Sequence, residues 1–157
     1  MPTAFFYHND CLEHETGEGH PETPKRLEVI LELLKLNEFK SLVLVEAQMA
    51  DLSLLNLVHS KEYMSELYDH SPFTDLINLD ADTVVSSGTL VAARRAVGAV
   101  CDAVDYVLDS SYRNAFCAVR PPGHHARYNM GMGFCIFNNI AIGAKYAQVF
   151  KKVERVA

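Results

Sequence analysis

A parallel, doubly wound α/β sheet is the fold this sequence predicts, and three observations carry the expectation. Short apolar runs with strand character alternate with longer runs of helical periodicity. With 157 residues, 49% of them hydrophobic, the chain can bury one sizeable core and points to a single domain. No repeat, linker or low-complexity tract interrupts the alternation.

Thr3 to Tyr7 is an apolar, aromatic run with strand character. Asn9 to Glu22 reads as a polar loop, in which Cys11, His14 and His20 match no common zinc-ligand spacing. Thr23 is placed to cap a helix with Pro24 at its first position, and Leu27, Ile30, Leu31 and Leu34 share one face of it. Arg26 falls in the first turn, where a cation gains nothing from the helix dipole, so its position asks for a separate cause or is simply a solvated face.

Ser41 to Ala47 reads as a second strand, and Asp51 caps a short helix ending near His59. Ser60 to Tyr68 reads as another helix. His59 and Tyr63, four apart, predict a core or inter-helix contact more than chemistry. Ser71 to Thr83, rich in Pro, Asp and Asn, reads as a rim loop. A long helix is expected from Ser86 or Ser87 to about Leu108, with a small-residue face of Ala92, Ala93, Ala96, Ala99, Val100, Ala103, Val104 and Val107. Arg94, Arg95, Asp102 and Asp105 are expected on its solvated side. Ala115 to Val119 is the third strand, and Asn138 to Phe150 the last helix, with Ile142, Tyr146 and Val149 on one stripe.

The formal charge of −6 argues against a general nucleic-acid or anionic-membrane surface, since both need clustered Lys and Arg. No uncharged apolar run approaches the ~20 residues that span a bilayer. Four cysteines without Cys-x-x-Cys spacing, and a start without a basic secretory signal, predict a reduced, cytoplasmic protein.

In open α/β sheets, ligands bind beyond the carboxyl ends of the strands, which makes Val119 to Asn139 the stretch to search. Pro121 and Pro122 exclude helix at the strand exit. Next come His124 and His125, side chains that titrate near working pH. Gly123 frees the backbone to bend so that both rings can reach one pocket. Gly131 and Gly133 permit a close backbone approach and set Phe134 beside it, as a pocket wall or as core packing. Spacing alone leaves the histidine pair open between catalysis or metal binding and an ordinary loop role.

The string Arg120-Pro121-Pro122-Gly123-His124-His125-Ala126, followed by Met132-Gly133-Phe134-Cys135-Ile136-Phe137-Asn138-Asn139, resembles the signature of the histone deacetylase superfamily. It is nearest to the class II-like enzymes and their bacterial amidohydrolase relatives. Gly19 to Leu27, Val58 to Tyr63 and Leu79 to Thr83 agree with it, so the resemblance runs along essentially the whole chain.

The resemblance implies a three-layer, arginase/deacetylase-like parallel sheet flanked by helices, with residues 1–157 as the N-terminal portion of one deacetylase domain. It implies zinc-dependent hydrolysis of acetyl or similar acyl amides, with His124 and His125 as general acid and base beside a metal-activated water. Gly133 and Phe134 would line the channel for the acyl-lysine stem, and Arg26 would lie below the site, bonding carbonyls near the glycine-rich loop. The family's zinc ligands, on an Asp-x-His stretch and a distant Asp, have no counterpart in these residues. Lys151 to Ala157 looks like the approach to the strand carrying the first two. Substrates would be an acetylated lysine-bearing protein, a polyamine or a small acylated amine. Sheet edges left open by absent strands would favour a homo-oligomer or a complementing chain.

Two other readings stay open. One is an inactive acyl-lysine or polyamine binding remnant without metal. The other is a cysteine hydrolase using Cys135 or Cys117 with His124, disfavoured because Cys135 sits among apolar residues that keep a thiol protonated.

Overall fold

The computed structural model describes residues 2–71, 74–109 and 112–157. Pro72 and Phe73 of the expected rim loop lie outside the described residues. In chain order the elements are β1 (Ala4–Tyr7), α1 (Pro24–Leu33), β2 (Val43–Glu46), α2 (Leu52–Leu55), α3 (Lys61–Asp69), β3 (Ile77–Asn78), β4 (Val84–Val85), α4 (Thr89–Asp109), β5 (Ala115–Cys117) and α5 (Asn139–Phe150).

The three strands predicted from apolar runs form one parallel sheet in the order β2-β1-β5. β1 pairs Phe5 with Leu44 on one side and with Phe116 on the other. Its alternating side chains divide the core between two faces. Ala4 and Phe6 turn towards Ala99, Ala103 and Tyr106 of α4. Phe5 and Tyr7 turn towards Leu27, Ile30 and Leu31 of α1. Helix, sheet and helix therefore stack as three layers, the predicted class. A separate apolar cluster joins α3, α4 and α5 through Met64, Leu67, Val97, Ile136 and Ile142.

Several local expectations are revised. Thr23 holds the N-cap position of α1 but its side chain makes no capping bond, so Pro24 at the start of the helix and the packing of Leu27 set the boundary. Asn9 to Glu13, expected as loop, forms a 3₁₀ turn closed by the His8 side chain accepting from the Asp10 N–H. α2 stops at Leu55, well before His59, although Asp51 caps it as expected by accepting from the Ser53 N–H. The expected Ser71 to Thr83 loop contains β3, which pairs antiparallel with β4. On α5, Val149 is exposed, and the buried face is Asn139, Ile142, Gly143 and Ala147.

Arg94 and Arg95 are not a solvated face. Arg94 donates to the Ala50 carbonyl at 2.9 Å; Arg95 donates to Asp10 at 2.8 Å and to the Ala47 carbonyl at 2.9 Å. Both guanidinium groups tie the loop after β2, or the 3₁₀ turn, to the long helix. Helical periodicity finds the outward direction but does not show that a loop crosses there.

Candidate active site

The chain leaves β5 through Ala118 and Val119 and turns at Arg120. That guanidinium is wholly buried. It donates to both carboxylate oxygens of Glu22, at 3.0 and 2.7 Å, and to the Cys11 carbonyl at 2.9 Å. Burial alone would raise the Glu22 carboxyl, yet the hydrogen bonds and charge of Arg120 hold it below the usual carboxylate range. His14 stands beside the same carboxylate, Nε2 at 3.7 Å, with its Nδ1 2.8 Å from the Thr89 hydroxyl at the start of α4. Burial, and then the Arg120 charge, push this imidazole down to about 4, so it is neutral in the working range.

Arg26 completes the group. It donates to Glu22 at 3.3 Å and to the Val119 carbonyl at 3.2 Å, just before the turn. Its unfavourable place in the first turn of α1 is explained by this carboxylate and carbonyl, with the side chain half exposed. Neither Glu22 nor Arg120 stood out in the sequence as a pair. A charged residue that is wholly buried must be partnered, but burial is not legible 98 positions away from the partner.

Beyond Arg120 the backbone packs tightly against the start of α5. A side chain at Gly123 would meet the Asn139 amide oxygen at 2.3 Å and the Phe137 carbonyl at 2.5 Å. The glycine is required by space here, whereas the sequence suggested bending freedom. Asn138 caps α5 by accepting from the Ala141 N–H and donates to the Ala126 carbonyl, which joins the histidine turn to the helix. Its own N–H donates to Nε2 of the buried His59 at 2.9 Å. His59 thus carries its proton on Nδ1, which is buried towards the Arg127 and Tyr128 carbonyls without a well-formed bond. His59 and Tyr63 make the expected structural contact, rings 5.6 Å apart, with the Tyr63 hydroxyl donating to the Ile136 carbonyl.

His124 and His125 lie ring to ring, centroids 4.2 Å apart and planes inclined by 49°. Both are exposed. The pair is therefore assembled side by side on an outward surface. Gly133 passes directly over the second ring: a Cβ there would stand 3.0 Å from the Cβ, Cγ and Cδ2 of His125. Met132 and Cys135 exchange two backbone hydrogen bonds of 3.0 Å around the pair Gly133-Phe134. Both central residues have positive φ, 57° and 68°, as a type I′ turn demands. For Phe134 that conformation costs about 1–2 kcal/mol, and strain of this kind gathers where a side chain must be aimed.

Phe134 is steadied by its N–H donating to the Thr83 hydroxyl at 3.0 Å, and by His20 edge-on at 4.9 Å. The His20 Nδ1 accepts from the Glu22 N–H and its Nε2 donates to the Asp82 carbonyl, each at 3.1 Å. His20, in the loop before α1, thus packs edge-on against Phe134. Cys135 is buried beneath the turn, its thiol pushed up by burial although backbone N–H groups of His125 and Ala126 oppose the shift. Its sulfur accepts from the His125 N–H, which makes it a support for the histidine turn.

Among the described residues no three His, Cys, Asp or Glu side chains converge to hold a metal ion. The residues present therefore do not fit a zinc site, which requires at least three protein ligands. No helix of the described residues is long and apolar enough to cross a membrane.

A parallel sheet between helices, with paired imidazoles on the turn leaving one strand, defines an α/β protein with a polar surface at the carboxyl end of that strand. Comparison with known proteins narrows the class. The histone deacetylase domain family matches residues 20–157. An uncharacterized protein of Synechocystis is 41% identical over 98% of this chain and 51% of its own length. A probable deacetylase of Archaeoglobus fulgidus is 36% identical over 100% of this chain and 44% of its own. The mouse polyamine deacetylase HDAC10 is 33% identical over 99% of this chain and 25% of its own length. Among solved structures, the HDA15 HD domain superposes with a TM-score of 0.86 at 29% identity, covering 94% of this chain and 44% of that one. The chain belongs to the histone deacetylase family, and it spans at most about half the length of these relatives.

Proposed function

We propose that this chain is the N-terminal, acid/base portion of a zinc-dependent deacetylase domain that hydrolyses acyl amides of lysine side chains or polyamines. The observation that carries the reading is the pair of rings at His124 and His125, 4.2 Å apart, on the turn that holds the family signature. One imidazole accepts the proton of the attacking water and the other protonates the departing amine. Proton transfer by positioned side chains is worth about 10²–10⁴-fold in rate. The two titrate as a coupled pair, so the roles belong to the dyad.

The strained Phe134 and the edge of His20 form apolar walls for an alkyl stem, and Gly133 leaves room for His125 beneath. Arg26 and the Glu22–Arg120 pair keep the turn in place. The zinc ligands, and the strands bearing them, come from residues outside this span. Four cysteines, each a free thiol in the structure, support a reducing compartment, for which we propose the cytoplasm.

A second reading, an inactive acyl-lysine or polyamine binding module without metal, uses the same exposed pair of rings at His124 and His125. The two separate in one experiment: the protein is isolated with whatever assembles on it, its zinc is counted, and acetate release from an acetyl-lysine peptide and an N-acetylated polyamine is followed. Bound zinc with acetate release that falls about 10²–10⁴-fold on His124→Ala or His125→Ala supports the deacetylase. Substrate binding without zinc or acetate release supports the module.

A further inference from the structure

Between the C-terminal half of α3, β3 and the loop that follows the histidine pair lies a cavity of about 310 Å³. Leu67 of α3, Ile77 of β3, Leu79 and Met130 give it apolar walls. Ile77 is 42% exposed although its strand is paired, because it opens onto this space. Gly131 also lines it, where a Cβ would meet the Tyr63 hydroxyl and the Cys135 carbonyl, each at 2.8 Å. Two residues further on, Gly133 begins the turn over His125. The Leu79 N–H donates to the Thr83 carbonyl at 2.8 Å, and the Thr83 hydroxyl accepts from the Phe134 N–H at 3.0 Å. The cavity is thus built from the same loops that hold Phe134 in place.

Its polar lining has one chemical sense. Glu66 of α3 is the one carboxylate there among the described residues. Burial, and then the Glu66 charge, push the Tyr63 phenol up, so the field of that carboxylate reaches the inner end. His70 donates its Nδ1–H to the Glu66 carbonyl at 2.7 Å, which leaves Nε2 of the neutral ring an acceptor. Asn78 and Asn129 add amide oxygens. The surroundings carry the same sign: from Lys61 to Thr83 the sequence holds six Asp and Glu against one Lys, most of the formal charge of −6. A cleft of one sign concentrates ions of the other at its mouth. The volume lies at the lower end of the range for small-molecule sites, about 300–1,000 Å³, which suits one side chain or a small amine.

We propose that this cavity binds an alkyl chain tipped with a cation, its stem lying on Leu67, Ile77 and Met130 and its ammonium or guanidinium group held by Glu66. The inference rests on the function proposed above for the source of that chain, which is either a basic side chain beside the acylated lysine of a peptide or the free amine end of an acylated polyamine. Basic side chains lay their methylene stems along apolar surface and keep the charged head in water. The exposed Glu66 at an apolar wall matches both ends of such a group. An anionic ligand would meet the Glu66 charge, and a wholly apolar one would strip water from that carboxylate and give it no partner.

The test follows backbone amide resonances of the whole chain during titration with Nα-acetyl-arginine methylamide, its neutral citrulline counterpart, and spermidine. Saturable shifts are expected at Leu67, Asn78 and Gly131 with the arginine compound or spermidine, and none from Val43 to Glu46. Affinity should fall about threefold or more with the citrulline compound and in Glu66→Gln, as for an exposed charge pair. Glu66 is exposed, so this substitution leaves the fold intact. Tighter binding of the arginine compound supports the site with a peptide as the source, and tighter binding of spermidine supports it with a polyamine. No saturable shift at the three residues, equal affinity for the citrulline compound, or insensitivity to Glu66→Gln would each overturn the proposal. These readouts need neither zinc nor turnover, so the site stands even where the assembled protein releases no acetate and the deacetylase reading falls. Where acetate is released, Glu66→Gln should raise KM about threefold for the acylated substrate carrying the tighter-binding cation, with kcat unchanged. An unchanged KM would overturn the cavity's part in substrate binding and leave the deacetylase reading intact.

Discussion

Glu22 and Arg120, 98 positions apart in the chain, meet in the interior through two hydrogen bonds of 3.0 and 2.7 Å. One precedes α1 and the other precedes the histidine turn, so this ion pair joins the polar loop after β1 to the loop after β5. Replacing Glu22 by Gln leaves a buried guanidinium without its counter-charge. Breaking such a pair costs about 3–5 kcal/mol. Urea unfolding of Glu22→Gln should show a loss of that order; a loss under about 1 kcal/mol would mean that the pair is dispensable.

His14 adds a pH dependence with a definite sign. Its folded-state value near 4 lies below the ordinary histidine value of 6.5, so between those values the unfolded chain binds the proton and the folded chain does not. Stability should decline as pH falls from about 6.5 towards 4, and this contribution then levels off. Glu22, depressed in the fold, adds a further loss as the pH falls through and below the ordinary carboxylate range, about 4.3. In His14→Asn the decline above the carboxylate range should flatten. Denaturant midpoints measured across pH in both proteins decide it, and equal slopes would exclude His14 as the source.

Gly133→Ala places a methyl group 3.0 Å from three atoms of His125 and puts a Cβ on a backbone with φ of 57°. A cost of about 1–2 kcal/mol follows from the conformation alone, with displacement of the ring in addition. The His125 ring resonances in an NMR spectrum should move while those of His59 stay put. Unmoved resonances would show that the turn yields elsewhere.

His124→Ala and His125→Ala, by contrast, should leave stability within about 0.5 kcal/mol, because both rings are exposed. Set beside the loss of acetate release expected of the assembled protein, this separates use from architecture. Thermal melts of each variant provide the check, and a loss of 2 kcal/mol or more would make the pair structural.

The layered α/β class was legible in the sequence because strand and helix periods differ and each run was long enough to show its own. The last helix began where Asn138 caps it, and the histidine turn followed the third strand as expected. What escaped were features set by distant partners. β3 and β4 are two residues each, too short to alternate visibly, and lie beside a Pro- and Asp-rich stretch that reads as loop. Arg94 and Arg95 follow helical spacing to the surface, yet carbonyls of the segment Ala47 to Ala50 arrive there to receive them. The positive φ of Phe134 was invisible because an aromatic residue seldom adopts it, whereas neighbouring Gly133 announced its own freedom.

The ladder geometry of β1 bears on how the protein comes into being. Its partners on the two sides are Val43–Glu46 and Ala115–Cys117, so the middle strand is made first during synthesis and waits for both neighbours. Until residue 117 has emerged, the β5 side of β1 has no strand to pair with, and the nascent sheet leaves that flank open to any passing polypeptide. A chaperone that shields that flank early would raise the yield of native protein more than one acting after release.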